Sequence, residues 1–221
     1  MCGRFSLAPT THQVKNSCIK LDLPEDFIAL FNIAPAMNSI VILPNMECVR
    51  MSWGLIPAWE QKERTTGKFI NARIETISEK AVFKNPLIRQ RCIVPADSFY
   101  EWKKCPGSTL QPYRIFRHDG VLLYFAAIWE VNEYLAKTTF SILTTQPNAD
   151  MSNLHNRMPV ILQDEEMCLD WLNSESQDLT RFMFVRDNFL INYPVTPSIN
   201  KVGTEGPHLH VAIPEQPSLF D

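Results

Sequence analysis

Short apolar segments, closed by proline, glycine or asparagine, recur along most of this 221-residue chain. Runs of this kind are typical of β-strands, because amphipathic helices show a longer apolar period. The pattern therefore predicts a β-rich core. The predicted strands are Ser39–Leu43, Cys48–Ile56, Phe69–Glu75, Arg91–Trp102, Pro112–Arg117, Val121–Glu130, Thr138–Thr145 and Phe189–Tyr193.

Three local patterns predict individual elements. The run His118-Asp119-Gly120 supplies the positive φ that a tight turn needs, so we expect an antiparallel hairpin between the flanking strands. Asp164 is placed to cap a helix with acidic residues in its first turn. The apolar face of that helix carries Met167, Cys168, Trp171 and Leu172. The segment Pro57–Lys68 has no period and predicts a surface loop that displays Trp59.

Composition places the chain among globular proteins. Apolar residues make up 45% and charged residues 20%, and no linker-like stretch divides residues 1–221, so we expect one domain with a flexible tail from about residue 205. The longest uncharged apolar run, Val121–Trp129, is far shorter than the ~20 residues that span a bilayer. With no signal-peptide pattern, we expect a monomer in the cytoplasm that does not contact a membrane.

The cysteines and the net charge narrow the possible partners. None of the six cysteines forms a CxxC pair, so the sequence predicts reduced thiols and neither a metal site nor another cofactor. The formal charge of -3 gives no global attraction to nucleic acid. A DNA site would therefore have to be a local basic groove on a mildly acidic protein.

Cys2 is the first candidate for chemistry. A small second residue permits removal of Met1, which would make Cys2 the amino terminus. Its amine, with an ordinary pKa of about 8, and its thiol are both nucleophiles. With an aldehyde, the amine forms a Schiff base and the thiol closes a five-membered thiazolidine on the same carbon. The alternative is that Cys2 is a small apolar residue buried in the core.

A second candidate is the polar face of the predicted strand Phe69–Glu75. Strand alternation sends Asn71, Arg73 and Glu75 to one face. An amide there can orient a reacting amine, and a guanidinium can hold a phosphate. A solvated strand face explains the same pattern.

Glu101 and His155 complete the candidates. Aromatic residues on both sides of Glu101 would desolvate it and raise its pKa, which suits acid–base work. Pairing of Glu101 with Lys103 or Lys104 at the end of a strand is the simpler alternative. His155 titrates near neutrality and precedes Arg157, a potential phosphate ligand, although a lone histidine is more often structural.

Six motifs together resemble the SOS response-associated peptidase (SRAP) family, and they occur in that family's order between Met1 and about Asn200. They are Met1-Cys2-Gly3-Arg4-Phe5, Asn32-Ile33-Ala34-Pro35, Trp53-Gly54-Leu55-Ile56-Pro57, Asn71-Ala72-Arg73-Ile74-Glu75, Phe99-Tyr100-Glu101-Trp102 and His155-Asn156-Arg157-Met158-Pro159. The resemblance implies an α+β fold, with a mixed, mainly antiparallel, barrel-like β core and flanking helices.

The resemblance also implies a function, which is covalent capture of abasic sites in single-stranded DNA. By resemblance, Cys2 forms the thiazolidine crosslink that shields the lesion. Asn71 and Glu101 are its positioning and acid–base partners, and His155 assists opening of the sugar ring. We expect a positively charged groove in which Arg4, Arg73 and Arg157 grip phosphates while Pro35 and Trp59 pack against bases. The peptidase name would then describe autoproteolytic removal of residues ahead of Cys2.

Two other function classes use the same residues. An N-terminal-nucleophile glutamine amidohydrolase also begins Met-Cys-Gly, but Arg4 departs from its usual aliphatic fourth residue. A noncatalytic single-stranded DNA binder would use the groove without Cys2.

The end of the chain carries a separate prediction. Its last residues resemble the short peptides with which bacterial proteins bind the sliding clamp, through Gln216, Leu219 and Phe220. A disordered terminus is the alternative.

Overall fold

The computed structural model describes residues 2–62, 69–105, 110–173 and 178–214. Its strands, in chain order from β1 to β12, are Phe5–Leu7, Leu30–Ile33, Asn38–Ile42, Cys48–Trp53, Asn71–Arg73, Arg91–Ala96, Ser98–Lys104, Leu110–Arg117, Leu123–Asn132, Lys137–Thr145, Met158–Pro159 and Leu190–Pro194. Helices α1 to α4 are Thr11–Lys15, Ala81–Arg89, Ala149–Ser152 and Glu165–Asn173. Short 3-10 helices include Ile74–Glu79, Thr180–Phe182, Pro197–Asn200 and Pro207–His210.

The strands form two sheets around a shared core. One sheet has the order β12-β8-β7-β1-β2, and its pairings are antiparallel. The other contains β11, β10, β4, β3, β6 and β9, with β5 added beside β10, and β10 runs parallel to both β4 and β5. Phe5 and Phe99 of the first sheet and Phe125 and Phe140 of the second belong to one buried cluster. The predicted α+β fold with a mainly antiparallel β core is confirmed.

A second core lies on the other face of β9. Phe125 and Ala127 point into the cluster between the sheets, whereas Tyr124, Ala126 and Ile128 belong to a separate cluster that includes residues of α2 and α4. This is the two-residue alternation of a strand covered on both faces. The predicted helix from Asp164 is confirmed as α4, whose four predicted apolar residues are buried. Asp164 Oδ1 accepts from the Met167 N–H at 2.8 Å.

The predicted hairpin at His118–Gly120 is wrong, although the turn itself forms. Gly120 has φ +71° and its N–H donates to the Arg117 carbonyl at 3.0 Å. However, β8 pairs with β7 and β12, whereas β9 pairs with β6 and β10. Each strand has both edges occupied by other partners. The turn therefore carries the chain from one sheet to the other.

The predicted strand Arg91–Trp102 is divided between the two sheets. Its halves, β6 and β7, are separated at Asp97, which is 1% exposed. The Asp97 carboxylate accepts from the Ser6 hydroxyl at 3.0 Å, the Ala8 N–H at 2.6 Å and the Arg114 guanidinium at 3.0 Å. The break between β6 and β7 at Asp97 therefore brings these partners to a buried carboxylate. An uninterrupted strand would leave that charge unpaired.

Two further segments differ from expectation in extent. Only Asn71–Arg73 of the predicted strand Phe69–Glu75 is extended, because the chain enters a 3-10 helix at Ile74. In the predicted tail, Leu209 is fully buried and Ala212 bridges Val195. Residues 63–68 of the predicted loop and the clamp-like residues Gln216, Leu219 and Phe220 lie outside the described residues. Among the helices described, none is long and apolar enough to cross a membrane.

Candidate active site

Cys2 is the central residue of the candidate site and lies three residues before the start of β1. Its side chain is 0% exposed, and its thiol donates to the Arg4 carbonyl at 3.9 Å. Burial raises the pKa of this thiol, and the negative charge of Glu101 raises it further. The thiol is therefore protonated at neutral pH, and its activation requires a group that takes its proton.

Asn71 holds the main chain of Cys2. Strand β5 runs parallel to β10 and places Asn71 opposite Ile142. From there, Nδ2 donates to the Cys2 carbonyl oxygen at 2.7 Å. The other end of the amide, Oδ1, is buried and accepts no hydrogen bond from any described residue. An unsatisfied buried acceptor costs about 1–3 kcal/mol, so such an atom marks a place where a donor is missing.

Glu101 lies on β7 opposite Tyr113 of β8, and it is 3% exposed. Burial raises the pKa of the Glu101 carboxyl, and the nearby His155 partly offsets that effect. The carboxyl therefore retains its proton at a higher pH than an exposed glutamate does. Tyr100, which immediately precedes Glu101, donates its N–H to the Arg4 carbonyl at 2.9 Å, and the Cys2 thiol donates to the same oxygen, so Glu101 and Cys2 lie on neighbouring segments.

His155 lies beside Glu101, with Nδ1 3.9 Å from the Glu101 carboxylate. The Arg157 N–H donates to Nδ1 at 3.1 Å, so the neutral ring carries its proton on Nε2. The carbonyl of Arg157 also lies 3.1 Å from Nδ1 and provides an acceptor when that nitrogen is protonated. The main chain of Arg157 thus provides a partner for the ring in both protonation states, as a proton-transfer group requires.

An open cleft of about 460 Å³ adjoins this cluster, and its lining residues are Arg73, Gln146, His155, Asn156 and Arg157. Arg73 is exposed and offers its guanidinium to an anion in the cleft. The sequence analysis did not predict Gln146 as a site residue. Its position directly after the predicted strand Thr138–Thr145 was the one available signal, because loops that follow strands often carry function.

The other two predicted phosphate ligands are occupied by internal partners. Arg157 is 6% exposed and donates to both carboxylate oxygens of Glu75, at 2.7 and 2.9 Å. Arg4 is 9% exposed and donates to Asn32 Oδ1 at 2.6 Å and to the Ile199 carbonyl at 2.9 Å. Both guanidiniums are therefore engaged by internal partners, and Arg157 also lines the cleft.

The two predicted base contacts lie in loops. Pro35 is half-buried at the turn between β2 and β3, where Ala36 has a positive φ of 72°. Trp59 is 59% exposed. Its loop is held by Asn132 Nδ2, which donates to the carbonyls of Pro57 at 2.6 Å and Glu60 at 2.9 Å. An exposed indole on an anchored loop is available for stacking.

Known proteins resemble this chain over most of its length. The family described as SOS response associated peptidase (SRAP) matches residues 1–202. Abasic site processing protein YoqW of Bacillus subtilis is 41% identical over 80% of this chain and 83% of its own. Abasic site processing protein HMCES of Rattus norvegicus is 30% identical over 90% and 72%, respectively. A crystal structure of a protein from Bacteroides thetaiotaomicron has the same fold, with a TM-score of 0.83 and 24% identity over 96% of this chain and 100% of its own.

Proposed function

We propose that this chain, which belongs to the SOS response associated peptidase (SRAP) family, captures abasic sites in single-stranded DNA through a covalent bond to Cys2. The observation that carries the proposal is the grouping of three polar side chains around the segment of Cys2. Asn71 bonds the Cys2 carbonyl at 2.7 Å, Tyr100 beside Glu101 donates to the carbonyl that also accepts from the Cys2 thiol, and His155 lies 3.9 Å from Glu101. The names of relatives support the substrate, since several are called abasic site processing proteins.

The reaction begins with the free α-amine of Cys2, so the active form is the one in which Cys2 is the first residue. An abasic deoxyribose in its ring-opened form presents an aldehyde. The amine adds to that carbon and gives a carbinolamine. Glu101 donates a proton to the departing hydroxyl, water leaves, and an iminium forms. The unpartnered Oδ1 of Asn71 accepts from the amine while its Nδ2 holds the Cys2 carbonyl.

Ring closure completes the crosslink. The Cys2 thiol transfers its proton to the Glu101 carboxylate, and the sulfur adds to the iminium carbon. The product is a thiazolidine, with one water released in total and Glu101 returned to its starting state. The raised pKa of Cys2 makes this proton transfer necessary, and the raised pKa of Glu101 makes its carboxylate a stronger base than an exposed one.

His155 acts earlier, on the closed form of the sugar. Opening the ring requires a proton to leave the C1 hydroxyl and another to reach the ring oxygen. His155 is suited to this exchange because its ring lines the cleft and has partners in both protonation states. The same transfers in reverse would release the DNA.

DNA recognition rests on contacts that do not read sequence. Arg73 binds a backbone phosphate at the cleft, and Trp59 and Pro35 pack against neighbouring bases. Stacking on an exposed indole requires unpaired bases, which favours single-stranded DNA. Because the protein carries a net charge of -3, its attraction for DNA phosphates comes from the local positive charge of Arg73 and not from the protein as a whole.

Two finer functions belong to the same proposal. The peptidase in the family description corresponds to hydrolysis of the bond ahead of Cys2, which liberates its amine.

The clamp-like residues Gln216, Leu219 and Phe220 would bring the protein to replicating DNA. Capture of the full chain by an immobilised bacterial clamp tests that contact. Capture that survives combined Leu219→Ala and Phe220→Ala substitution would remove it.

A denaturing gel tests the proposed function against its rivals. Protein beginning at Cys2 is incubated with single-stranded DNA that carries one abasic site, beside a Cys2→Ala variant and an undamaged strand. A slow, heat-stable band that needs both Cys2 and the abasic site supports covalent capture. Binding without such a band favours a noncatalytic binder, and release of ammonia from glutamine favours the amidohydrolase.

A further inference from the structure

Arg4, which directly precedes β1, and Asn32 of β2 are both hydrogen-bonded to the C-terminal segment. Asn32 is fully buried, and its Nδ2 donates to the carbonyls of Ile199 at 3.3 Å, Lys201 at 3.0 Å and Thr204 at 3.0 Å. Its Oδ1 accepts from Arg4 Nη1 at 2.6 Å, and that nitrogen also donates to the Ile199 carbonyl at 2.9 Å. We call residues 199–205 the C-terminal strap.

The strap also covers the open edge of the five-stranded sheet. Strand β2 is the last strand of that sheet, and its Phe31 N–H donates to Glu205 Oε2 at 2.6 Å. On β7, Trp102 Nε1 donates to Asn200 Oδ1 at 2.7 Å. The strap therefore contacts β2 directly and reaches the residue that follows Glu101. Thr204 and Glu205 lie beyond residue 202, where the family match ends.

The main chain of Arg4 links the strap to the reacting groups. The Arg4 carbonyl accepts from the Tyr100 N–H at 2.9 Å, and the Cys2 thiol lies 3.9 Å from the same oxygen. Tyr100 immediately precedes Glu101. The main chain of Arg4 thus determines where Cys2 lies relative to Glu101. The side chain of Arg4 is in turn held by Asn32 and the strap.

We propose that Arg4 and Asn32 are positioning residues, and that the C-terminal strap sets the geometry between Cys2 and Glu101 through them. The inference rests on the proposed function for its DNA readout. Arg4 is 9% exposed, and its side chain bonds the Ile199 carbonyl and the Asn32 amide oxygen. Losing this anchor displaces Cys2, and a displacement of ~1 Å at a reacting group costs on the order of 100-fold in rate.

Arg4→Gln separates positioning from phosphate binding. Single-turnover crosslinking is measured over a range of abasic DNA and salt concentrations, with Arg73→Gln and Arg50→Gln in parallel. For Arg4→Gln, we expect the rate at saturating DNA to fall at least about 10-fold, with unchanged half-saturation and salt slope. Arg73→Gln should instead weaken binding and lower the salt slope by about one. The exposed Arg50, whose carboxylate partner is Asp26, serves as the charge control.

The opposite pattern overturns the inference. If Arg4→Gln lowers affinity and salt slope while the saturated rate is retained, Arg4 is a phosphate ligand. If Arg4→Gln fails to fold, substitutions of Glu205 test the strap instead, because this residue is only partly buried and its replacement disturbs the core less. We expect Glu205→Ala to slow crosslinking and Glu205→Gln, which keeps an acceptor for Phe31 N–H, to restore it. Equal rates for these two variants would contradict the role of the strap.

A DNA-free probe distinguishes failure of this inference from failure of the proposed function. Formaldehyde converts an amino-terminal cysteine to a thiazolidine with loss of one water, which intact mass detects. We expect Arg4→Gln to slow this reaction and shift its pH profile, because Glu101 no longer faces Cys2. If the wild type traps formaldehyde in this Arg4-dependent way but does not crosslink abasic DNA, the positioning role stands and the proposed DNA function fails. If the rate and pH profile of the formaldehyde reaction are the same in Arg4→Gln and the wild type, the positioning role is rejected.

Discussion

The side-chain amide of Asn71 donates to the Cys2 carbonyl across 2.7 Å, and its own oxygen is buried without a partner among the described residues. One amide can therefore hold both the carbonyl and the amine of an amino-terminal cysteine. Asn71→Asp keeps an acceptor but loses the donor to the carbonyl. We expect crosslinking to slow by roughly 10- to 100-fold with little change in DNA affinity. Single-turnover gels and anisotropy binding measure the two quantities. Loss of affinity with an intact rate would show that Asn71 contacts DNA instead.

Glu101→Gln removes the proposed proton donor and acceptor while keeping the shape of the side chain. We expect the crosslinking rate to fall by about 10²- to 10⁴-fold, the usual contribution of general acid–base catalysis. The wild-type rate should decline as pH rises through the raised pKa of Glu101, and this limb should be absent in the variant. A pH–rate profile that retains the same limb in Glu101→Gln assigns the proton transfer to another group.

The same substitution has an opposite effect on stability. Because the pKa of Glu101 is raised on folding, its contribution to stability is fully present below its unfolded pKa and is lost as pH rises through its folded pKa. Glu101→Gln should therefore be more stable than the wild type at neutral pH, and the difference should vanish in acid. Urea unfolding at several pH values measures this. A variant that is less stable at neutral pH would show that Glu101 is held mainly by its ionised contacts.

The ion pair between Glu75 and Arg157 joins the 3-10 helix that follows the strand of Asn71 to the segment that carries His155. Glu75→Ala leaves the nearly buried Arg157 without its carboxylate. We expect a loss of roughly 1–3 kcal/mol in unfolding free energy, moderated because Glu75 itself is partly exposed. His155 should also lose its orientation, which slows opening of the sugar ring. Glu79→Ala, an exposed acidic control four residues along, should change neither. Unfolding curves that coincide for wild type and Glu75→Ala would contradict this role.

The buried His210 provides a separate test of stability. Burial lowers its pKa to about 4, with Asp97 opposing the shift and Arg114 adding to it. The unfolded chain therefore binds more protons between pH 4 and its ordinary pKa of about 6.5, so stability should fall as pH drops through that window. His210→Asn should flatten the slope of unfolding free energy against pH. An unchanged slope would assign this dependence to other groups.

The sequence predicts those features that depend on residues adjacent along the chain. Helix α4 follows from its apolar period and from Asp164 beside it. The turn at His118–Gly120 also follows from local chemistry, but its strands pair elsewhere because pairing depends on distant segments. The internal partners of Arg4 and Arg157 were unpredictable for the same reason. Asn32 and Glu75 lie 28 and 82 residues away from them, respectively. The roles of Asn71, Glu101 and His155 came from resemblance, whereas their contacts came from the structure.

Mass spectrometry of the crosslinked species tests covalent capture by Cys2 most directly. Protein beginning at Cys2 is reacted with a short single-stranded oligonucleotide that carries one abasic site, without any reducing agent, and the adduct is digested and sequenced. We predict a mass equal to protein plus DNA less one water, with the DNA attached to the peptide that begins at Cys2 and both its amine and thiol blocked. An adduct on a lysine, one whose Cys2 thiol still alkylates, or no adduct at all would contradict thiazolidine formation at Cys2.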